Sequence, residues 1–379
     1  MVVPDGLESA REPESRRGSL WMVVLGAVAV AALLFASRGG GEAPDTDTTV
    51  PTVPEVVDID NGWDLLGLPG SNRLLAVARL DPAGYVAVGV GPQFWSSPDG
   101  MTWSLGTLRG DGVGEAAGVT GLGGLEVAAG SDVADTGRVR PSVWTSGDGL
   151  TWQQVLKGAA PAALEGITAG DGRLYAWGWK GSDQDFSPAV GSLVMTSANG
   201  TDWSEVTAIP EGARIHRVVF LNQTWYVMGL QTGQAAVWRR DGETWTRLSS
   251  NGFPFGWAMV DLYTGGGGLI ANLAEVGLGR TRTFRQGSDG WAPLTDPIVN
   301  GPVVMVSPSE AVGAGHLWEN GPQWSPVDLE GEVAAAAGDV AVGSTSGQPA
   351  LWVDNSPGPL AYALPSQGSS PVWRLEADL

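Results

Sequence analysis

Cysteine is absent from the 379 residues of this chain, and basic residues are few. The lack of cysteine excludes disulfide bonds, thiolate metal sites and cysteine nucleophiles. It does not fix the compartment, because extracellular proteins can also lack disulfides. Lysine and arginine number 21 against 41 acidic residues, and the formal net charge is −20. Nucleic acid is therefore not an expected partner, since phosphate binding needs a basic face.

Charged residues are also absent from one long segment near the N-terminus. Residues 20–36 read LWMVVLGAVAVAALLFA; three arginines precede them and only Arg38 closely follows. As a helix this segment would reach about 25 Å at about 1.5 Å per residue, close to a bilayer core of about 30 Å. The arginines before it place the N-terminus in the cytoplasm. We expect residues 20–37 to be a retained transmembrane signal anchor, and a cleaved signal peptide is the alternative.

The segments around this anchor differ in composition. Residues 1–19 would form a cytoplasmic tail. Residues 38–61 hold six acidic residues and are rich in Gly, Pro and Thr, a composition that makes a packed core improbable. We expect them to be a disordered acidic linker, which charge repulsion extends away from the membrane. Residues 62–379 form the predicted folded domain.

A tryptophan-containing segment recurs along this domain. Successive copies begin at positions 95, 144, 195, 238, 284, 318 and 352, so they are 34 to 51 residues apart, a spacing typical of repeat architectures. Each copy follows a short apolar run with a small residue inside it, such as YVAVGV at 85–90. Four short antiparallel strands per repeat are typical of a propeller blade. The sequence therefore predicts an all-β fold, a seven-bladed β-propeller of four-stranded antiparallel blades.

The first four copies each contain a turn dipeptide between the predicted third and fourth strands. Glycine accepts the positive φ of such a turn, and an Asp or Asn side chain can bond the backbone amides of its own turn. The tryptophan after the turn is large enough to fill the gap against a neighbouring blade. Because equivalent turns on different blades do not converge, we interpret them as structural rather than as metal ligands. The structural positions are Ser97, Asp99, Gly100, Trp103, Ser146, Asp148, Gly149, Trp152, Ser197, Asn199, Trp203, Asp241, Gly242 and Trp245.

Three of these segments resemble the Asp-box, also called the BNR repeat, with the pattern Ser-x-Asp-x-Gly-x-Thr-Trp. They are SPDGMTW (97–103), SGDGLTW (146–152) and SANGTDW (197–203), each with one residue fewer between the Asp and Gly positions, and the last with Asn in place of Asp. The motif is found in sialidases, sortilin-type receptors and photosystem II assembly-factor-like propellers. The resemblance implies a propeller with the box on the face opposite the active site. It implies little about function.

The sequence leaves open which strand closes the ring. GWDLLGLP at 62–69 resembles an outer strand, yet no first three strands precede it. PLAYALP at 359–365 and VWRL at 372–375 compete for the same place. One of the three must pair there for the propeller to have no free edge.

A sialidase-like glycoside hydrolase is the enzymatic alternative, because the resemblance includes sialidases. The Phe-Arg-Ile-Pro element of that family is absent, and the nearest segment is Ala213-Arg214-Ile215-His216. We therefore predict no catalytic residues, although a paired-carboxylate glycosidase stays open because sequence does not reveal the separation of two carboxylates. His216 and His316 lie in different repeats without ligand spacing, so we expect no metal and no cofactor.

Candidate binding residues come from the loops between blades and between second and third strands. Two of the latter are long and belong to adjacent blades, SDVADTGRVRPS (131–142) and KGSDQDFSPAVGS (180–192), and long loops in a compact repeat are often functional. SSNGFPFGW (249–257) offers aromatic side chains that suit sugar or protein contact or fold back as a plug, and RIHRVVF (214–220) could line the channel mouth. The candidate ligand-binding residues are Arg138, Arg140, Lys180, Asp183, Asp185, Phe186, Arg214, His216, Arg217, Phe253, Phe255 and Trp257.

These features predict a single-pass protein of the cell membrane, with the N-terminus in the cytoplasm and the propeller outside. The leading hypothesis is a non-catalytic binding or scaffold module for a protein or a cell-envelope glycan. The alternatives are a sialidase-like glycoside hydrolase and an assembly factor for a membrane complex. Converging carboxylates or arginines in a central pocket would favour the enzyme, whereas a broad patch on blades two and three would favour binding.

Overall fold

The computed structural model describes most of the predicted domain. The described residues are 55–58, 63–68, 73–80, 84–110, 112–181, 191–207, 209, 212–265, 268–276, 280–294, 303–307, 310–313, 316–320, 324–326, 329, 332–337, 340–345 and 348–354. The predicted anchor at 20–37 lies outside them, as do Asp183, Asp185, Phe186 and the two C-terminal candidates for the closing strand. Within the described ranges, no helix is long and apolar enough to cross a membrane.

All of the regular secondary structure in these ranges consists of β-strands. The first fifteen are β1 Glu55–Asp58, β2 Trp63–Gly67, β3 Leu74–Leu80, β4 Gly84–Gly89, β5 Gln93–Ser97, β6 Ser104–Leu105, β7 Thr107–Arg109, β8 Gly114–Leu122, β9 Leu125–Val133, β10 Val139–Ser146, β11 Thr151–Lys157, β12 Ala162–Gly170, β13 Arg173–Lys180, β14 Gly191–Ser197 and β15 Ser204–Glu205. The others are β16 Ala213–Leu221, β17 Thr224–Gln231, β18 Gln234–Asp241, β19 Thr244–Arg247, β20 Trp257–Gly265, β21 Gly268–Glu275, β22 Thr281–Gly287, β23 Gly290–Pro293, β24 Val303–Ser307, β25 Glu310–Gly313, β26 His316–Asn320, β27 Trp324–Pro326, β28 Glu332–Ala337, β29 Val340–Thr345 and β30 Gln348–Asp354.

These strands form seven sheets that follow one another along the chain. Sheet 1 contains β3–β6, and sheets 3 to 6 contain β12–β15, β16–β19, β20–β23 and β24–β27, each in sequence order. Sheet 2 combines β8–β11 with β7, which lies parallel to the outer strand β11. Sheet 7 combines β28–β30 with β2 and β1. The predicted all-β fold of four-stranded antiparallel sheets is confirmed, and two sheets carry an additional fifth strand.

Strand β2, which precedes sheet 1 in the sequence, belongs to sheet 7. β2 pairs with β30 along its length, from Trp63 opposite Asp354 to Gly67 opposite Ala350. GWDLLGLP therefore supplies the fourth strand of sheet 7, which was one of the three alternatives for closure. β1 in turn pairs with the outer edge of β2, so Glu55–Asp58, which was predicted to belong to the disordered linker 38–61, is a strand of sheet 7. Because main-chain hydrogen bonds join the two ends of the described domain, neither β2 nor β30 presents an unpaired edge.

Apolar seams join successive sheets. Separate clusters of buried side chains connect sheet 1 to sheet 2, sheet 2 to sheet 3, sheet 3 to sheet 4 and sheet 4 to sheet 5. The strands of sheets 5, 6 and 7 lie beside one another in the same succession. Sheet 7 also packs on sheet 1, through a cluster in which Val340 and Leu351 meet Leu74 and Val77. Each fully buried aliphatic side chain contributes about 1.5–3 kcal/mol, so these seams supply most of the apolar stabilisation.

In five sheets the glycine inside the apolar run has a steric cause. The first strand of each sheet (β3, β8, β12, β16, β20, β24 and β28) is called the inner strand, and in sheets 1 to 5 and 7 it carries a β-bulge at the equivalent position. In five of those sheets the residue before the bulge pairs with a glycine, and a Cβ on that glycine would collide with a carbonyl oxygen of the inner strand. Bulges bend a strand and increase its local twist, which brings the two backbones together there. The glycines are Gly89, Gly130, Gly178, Gly229 and Gly343.

The segments 97–103, 146–152 and 197–203, called the tryptophan hairpins, share one hydrogen-bond pattern. In the first, the amides of Met101 and Thr102 donate to Asp99 Oδ1 at 2.9 and 2.7 Å, and Trp103 Nε1 donates to the carbonyl of Gly100 at 2.6 Å. The same bonds form around Asp148 and Asn199. The glycine of each hairpin has a positive φ. The predicted turn chemistry is therefore confirmed for these three hairpins.

The tryptophans of these hairpins pack against the preceding sheet, as predicted. Trp152 of sheet 2 stacks on Phe94 of sheet 1 with ring centroids 4.3 Å apart. Trp103 joins the seam with sheet 7, and the half-buried Trp203 packs on the seam with sheet 2.

The fourth predicted turn differs from the first three. Asp241 pairs directly with Thr244, so the turn contains only two residues, and the Asp241 carboxylate accepts a hydrogen bond from Arg239 Nε at 3.0 Å. The Asp241 carboxylate is therefore held by a side chain of its own strand. Trp245 still packs towards the preceding sheet, with its ring edge-on to Tyr175.

Candidate binding site

The tryptophan hairpins and the candidate binding residues lie at opposite ends of their sheets. In sheet 2, Ser146 marks the hairpin end of the β9–β10 pair, while Arg140 pairs with Asp132 at the other end. In sheet 3, Ser197 and Lys180 are separated along the β13–β14 pair in the same way. The end that carries Arg140 and Lys180 is called the loop end.

A buried carboxylate organises the loop end of sheet 2. Asp132 Oδ2 accepts hydrogen bonds from Arg140 Nη2 at 2.8 Å, Arg140 Nε at 3.3 Å and Gln154 Nε2 at 3.2 Å. Asp132 Oδ1 accepts from the amides of Val133 at 2.8 Å and Val113 at 3.2 Å. Burial alone would raise the pKa of Asp132, but the hydrogen bonds, first among them those from Arg140, outweigh it and hold the pKa below its usual value. Asp132 is therefore ionised and fixes the arginine and glutamine around it.

A groove of about 300 Å³ opens beside this carboxylate. It lies between β7 and β11, and Gln154 connects it to Asp132 while also donating to Ser142 Oγ at 3.0 Å. Two exposed cations, Arg109 and Lys157, stand at its sides. The groove thus combines positive charge with a polar wall whose orientation is fixed. Its lining residues are Leu108, Arg109, Gly110, Gln153, Gln154 and Lys157.

A second group of polar side chains lies on the inner strands of sheets 3 to 5. This polar sector consists of Glu165, Arg214, His216, Arg217 and Asp261. Glu165 and His216 occupy the bulge of β12 and β16, and both are partly exposed. In the other four sheets with this bulge the equivalent residue is apolar and at most 2% exposed: Leu75, Ala117, Val260 and Ala334.

An ion pair connects sheets 4 and 5 within the polar sector. Arg217 Nη1 lies 3.6 Å from Asp261 Oδ1, and their side chains are 6% and 4% exposed. Arg217 Nε and Nη1 are buried without a hydrogen-bond acceptor among the described residues, and Asn272 Nδ2, on the strand beside Asp261, is in the same situation. Burial, and then the charge of Asp261, raise the pKa of Tyr263 far above its usual value. The equivalent positions of the other sheets hold small residues: Ala76, Gly118, Gly166 and Ala335.

His216 is held by a backbone carbonyl of the next sheet. Its Nδ1 lies 3.0 Å from the carbonyl oxygen of Met259. A carbonyl oxygen can only accept, so the proton of a neutral imidazole sits on Nδ1 and Nε2 is the acceptor. Arg214, two residues earlier on β16, is half-buried. The structure thus places three predicted candidates on one inner strand, pairs Arg217 with Asp261, and puts a second carboxylate, that of Glu165, on the neighbouring inner strand.

The loop predicted at 131–142 is shorter than expected. β9 extends to Val133 and β10 begins at Val139, so only residues 134–138 connect them. Arg138 lies at the end of this connection and is partly buried. In sheet 3, Lys180 forms an ion pair with Glu205 of β15. The three other candidates of that loop, Asp183, Asp185 and Phe186, lie outside the described residues.

The aromatic loop 249–257 mostly folds back onto the core. Phe253 is 5% exposed, stacks on Trp291 at 4.7 Å and meets Phe284 edge-on. Trp257 is also buried, in the seam between sheets 4 and 5. Of the three, only Phe255 is exposed, at 78% of its surface. The plug alternative therefore applies to Phe253 and Trp257, and surface contact stays a prediction for Phe255 alone.

Sequence reasoning did not single out Glu165, Asp261 or Gln154 as site residues. A usable signal was present in two of them, because Glu165 and Asp261 are the charged residues inside the otherwise apolar strands AALEGI and WAMVDL. A charge within a buried strand usually has a partner. Across the described ranges, no three His, Asp or Glu side chains are placed to hold one metal ion; the expected lack of a cofactor stays a prediction.

Comparison with known proteins identifies the fold. No protein-family model matches the chain, and no curated protein matches it. A solved structure described as YCF48 bound to D1 peptide is 17% identical, with a TM-score of 0.52, over 81% of this chain and 99% of that one. The soluble aldose sugar dehydrogenase of Escherichia coli, in its apo form, is 11% identical over 77% of this chain and 99% of that one, with a TM-score of 0.42. At these identities the likeness to YCF48 shows a β-propeller fold and no more.

Proposed function

We propose that the seven sheets are the blades of one closed seven-bladed β-propeller and that the tryptophan hairpins are Asp-boxes. The pairing of β2 with β30 and the packing of sheet 7 on sheet 1 support closure. The hydrogen bonds shared by the three hairpins support the Asp-box assignment, because serine, aspartate or asparagine, glycine and tryptophan all take equivalent roles.

We further propose that residues 20–37 anchor this propeller to the outer side of the cell membrane. Residues 1–19 are then cytoplasmic, and the part of the predicted linker 38–61 that precedes β1 forms the tether. The uncharged apolar segment and the arginines before it support this arrangement. Full-length chain should stay with membranes after an alkaline wash. Release of a shortened chain into the medium would instead indicate a cleaved signal peptide.

The function that the geometry supports best is non-catalytic binding of a protein partner at the loop end. The observation that carries it is the braced carboxylate of sheet 2, where Asp132 fixes Arg140 and Gln154 beside a groove with two cations. A surface whose side chains are already ordered loses little conformational entropy on binding. The similar fold named YCF48 was solved with a bound peptide, which supports a polypeptide as the ligand class. Assembly of a membrane complex would be one setting for such binding.

Photo-crosslinking in native membranes tests this proposal. A photoreactive amino acid at Lys157, at the side of the groove, should capture a discrete protein partner. The matched control is Gly147 in the hairpin of the same sheet, which is exposed and where an added Cβ would meet no atom within 4 Å. Equal capture from both positions, or capture from neither, would contradict a binding surface at the loop end.

Two further assays test the alternatives, which are binding of a cell-envelope glycan and glycoside hydrolase activity. The exposed ring of Phe255 at the loop end is the feature that would suit a sugar. Retention of the full chain on cell-envelope polysaccharide, with no protein captured at Lys157, would favour the glycan as ligand. Turnover of fluorogenic glycosides by the purified full chain would overturn the non-catalytic assignment.

A further inference from the structure

The tryptophan hairpin of sheet 2 rests on an acidic residue that its counterparts lack. Ser146, which opens this hairpin, pairs with Glu126 of β9. In sheets 1 and 3 the residue opposite the hairpin serine is Tyr85 and Leu174. Glu126 is 4% exposed. One of three hairpins with the same turn chemistry therefore has a carboxyl group buried beneath it.

Glu126 lies against the backbone of the hairpin. Its Oε1 is next to Gly149, while the Ser146 hydroxyl donates to Asp148 Oδ1 at 2.9 Å. In the other two hairpins the equivalent glycine amide donates to the hairpin serine, at 2.8 and 2.9 Å. Glu126 Oε2 is buried and has no hydrogen-bond partner among the described residues. Ionisation would therefore leave negative charge next to a buried oxygen that no donor reaches among the described residues.

The hairpin above Glu126 also forms the contact between sheets 1 and 2. Gly149 lies against Ser96 of β5, and a Cβ added to it would be 3.1 Å from Glu126 Oε1. The carbonyl of Gly149 accepts a hydrogen bond from Trp152 Nε1 at 3.0 Å. The ring of Trp152 stacks on Phe94 of sheet 1. A displacement of Gly149 therefore disturbs both the tryptophan and its contact with sheet 1.

We propose that this hairpin is a pH-responsive contact, closed on sheet 1 while Glu126 is protonated and loosened when Glu126 ionises. Burying a carboxylate with one oxygen lacking a donor is far less favourable than burying the neutral acid. Opening the hairpin exposes the carboxylate to water and removes that penalty. Tyr85 and Leu174 carry no carboxyl group, so the hairpins of sheets 1 and 3 lack this response.

The electrostatic surroundings agree with this geometry. Burial, and then the negative charge of Asp148, raise the pKa of Glu126 to about 7, although the nearby Ser146 hydroxyl and Gly149 amide act to lower it. The folded pKa thus lies above the ordinary value of 4.5. Protonation therefore stabilises the closed hairpin fully below about pH 4.5, and this stabilisation is lost as the pH rises through about 7.

Asp148 is the charged group that faces Glu126. Burial alone would raise the pKa of Asp148, but hydrogen bonds from Thr151 and Leu150 lower it, so it is already ionised near neutral pH. The neighbours of the hairpin and of Glu126 on the other packed elements are uncharged: Ser96 of sheet 1 and Gly121 of β8. The response near neutral pH therefore belongs to Glu126.

Hydrogen exchange of the tryptophan indole N–H groups tests the proposal on the full chain. Trp103, Trp152 and Trp203 each donate Nε1 to the glycine carbonyl of their own hairpin, so two of them serve as internal controls. From the ordinary and raised pKa values of Glu126, the protection factor of Trp152 should fall about tenfold between pH 6 and pH 8, and that of Trp103 and Trp203 should not.

Glu126→Gln is the matched variant, because it keeps the acceptor and removes the ionisation. Its Trp152 protection should be independent of pH over this range. Glu126→Leu copies the residue of sheet 3 and should behave in the same way, which covers a failure of the glutamine variant to fold. The proposal is overturned if Trp152 follows the other two tryptophans, or if both variants keep the tenfold change.

Discussion

Two ion pairs with similar side chains behave differently in this molecule. On the loop end of sheet 2, Asp132 receives hydrogen bonds at both carboxylate oxygens, and Arg140 is 22% exposed. On the inner strands, Arg217 and Asp261 are both almost fully buried, 3.6 Å apart, and two guanidinium nitrogens have no acceptor among the described residues. Both carboxylate oxygens of the first pair thus have donors, whereas the guanidinium of the second pair has buried donors without acceptors among the described residues.

This difference separates two roles for charge. A buried pair repays its desolvation only when its remaining donors and acceptors are satisfied, so the inner pair is weak evidence of stabilisation. Four other sheets place Ala or Gly at the same position, so the fold does not require charge there. The pair on sheet 2 is partly exposed through Arg140 and fixes the orientation of Gln154, as the proposed binding surface requires.

The largest effect is expected from breaking the inner pair. Arg217→Ala leaves the Asp261 carboxylate buried without its arginine, and removing one partner of a buried pair costs about 3–5 kcal/mol. The free energy of unfolding, measured by urea denaturation of the full chain at neutral pH, should fall by that amount.

The matched control replaces both charges. Arg217→Met combined with Asp261→Leu should recover most of the stability, because apolar residues of similar size often replace a buried pair without loss. A loss under about 1 kcal/mol in Arg217→Ala alone would show that the inner charges are better solvated than their burial indicates. The contrast with sheet 2 would then disappear.

An intermediate effect is expected from removing the carboxylate of sheet 2. Asp132→Ala should lower the free energy of unfolding by about 1.5–3 kcal/mol, the usual range for hydrogen bonds to a charged group. Because the folded pKa of Asp132 is below its ordinary value of 3.8, its electrostatic stabilisation is present above that value and is lost as the pH falls through the folded pKa. The difference between wild type and variant should therefore be larger at pH 7 than near pH 3.

Asp132→Asn separates charge from shape. It keeps one acceptor oxygen for Arg140 and Gln154 and should lose less stability than Asp132→Ala, with little dependence on pH. A difference between wild type and Asp132→Ala that is the same at pH 7 and pH 3 would mean that packing, rather than the charge, braces this surface.

The fold could be predicted from the sequence because its signals are local. Each tryptophan hairpin is specified by serine, aspartate or asparagine, glycine and tryptophan within seven residues, and the repeat of such segments indicates the sheets. Closure by β2 was one alternative among three, because the residues of an apolar strand do not specify which strand it pairs with. The extent of the 131–142 loop was overestimated because Asp132 and Arg140 look like loop residues in sequence. They face each other across β9 and β10, and their charges satisfy one another.

The polar sector could not be assembled from the sequence. Arg217 and Asp261 are far apart in the chain, and they align only when the bulges of β16 and β20 are known. A bulge shifts every later side chain by one position relative to its partner strand. The residue types do not predict where such a bulge occurs. For Phe253 and Trp257 the sequence left surface contact and a buried plug as alternatives, because an aromatic residue in a loop suits both, and the structure shows that both residues are buried.

The smallest effect is expected at the ion pair of sheet 3, which extends the comparison to exposed charge. Lys180 and Glu205 are 41% and 43% exposed, and pairs of this kind contribute about 0.2–1 kcal/mol. Lys180→Ala should therefore lower the free energy of unfolding by less than about 1 kcal/mol, and Glu205→Gln, which removes the other charge of the pair, should do the same. Because Lys180 lies at the loop end, the same variant should weaken capture of a partner at Lys157. A large loss of stability with unchanged capture would make Lys180 a structural residue and move the binding surface away from sheet 3.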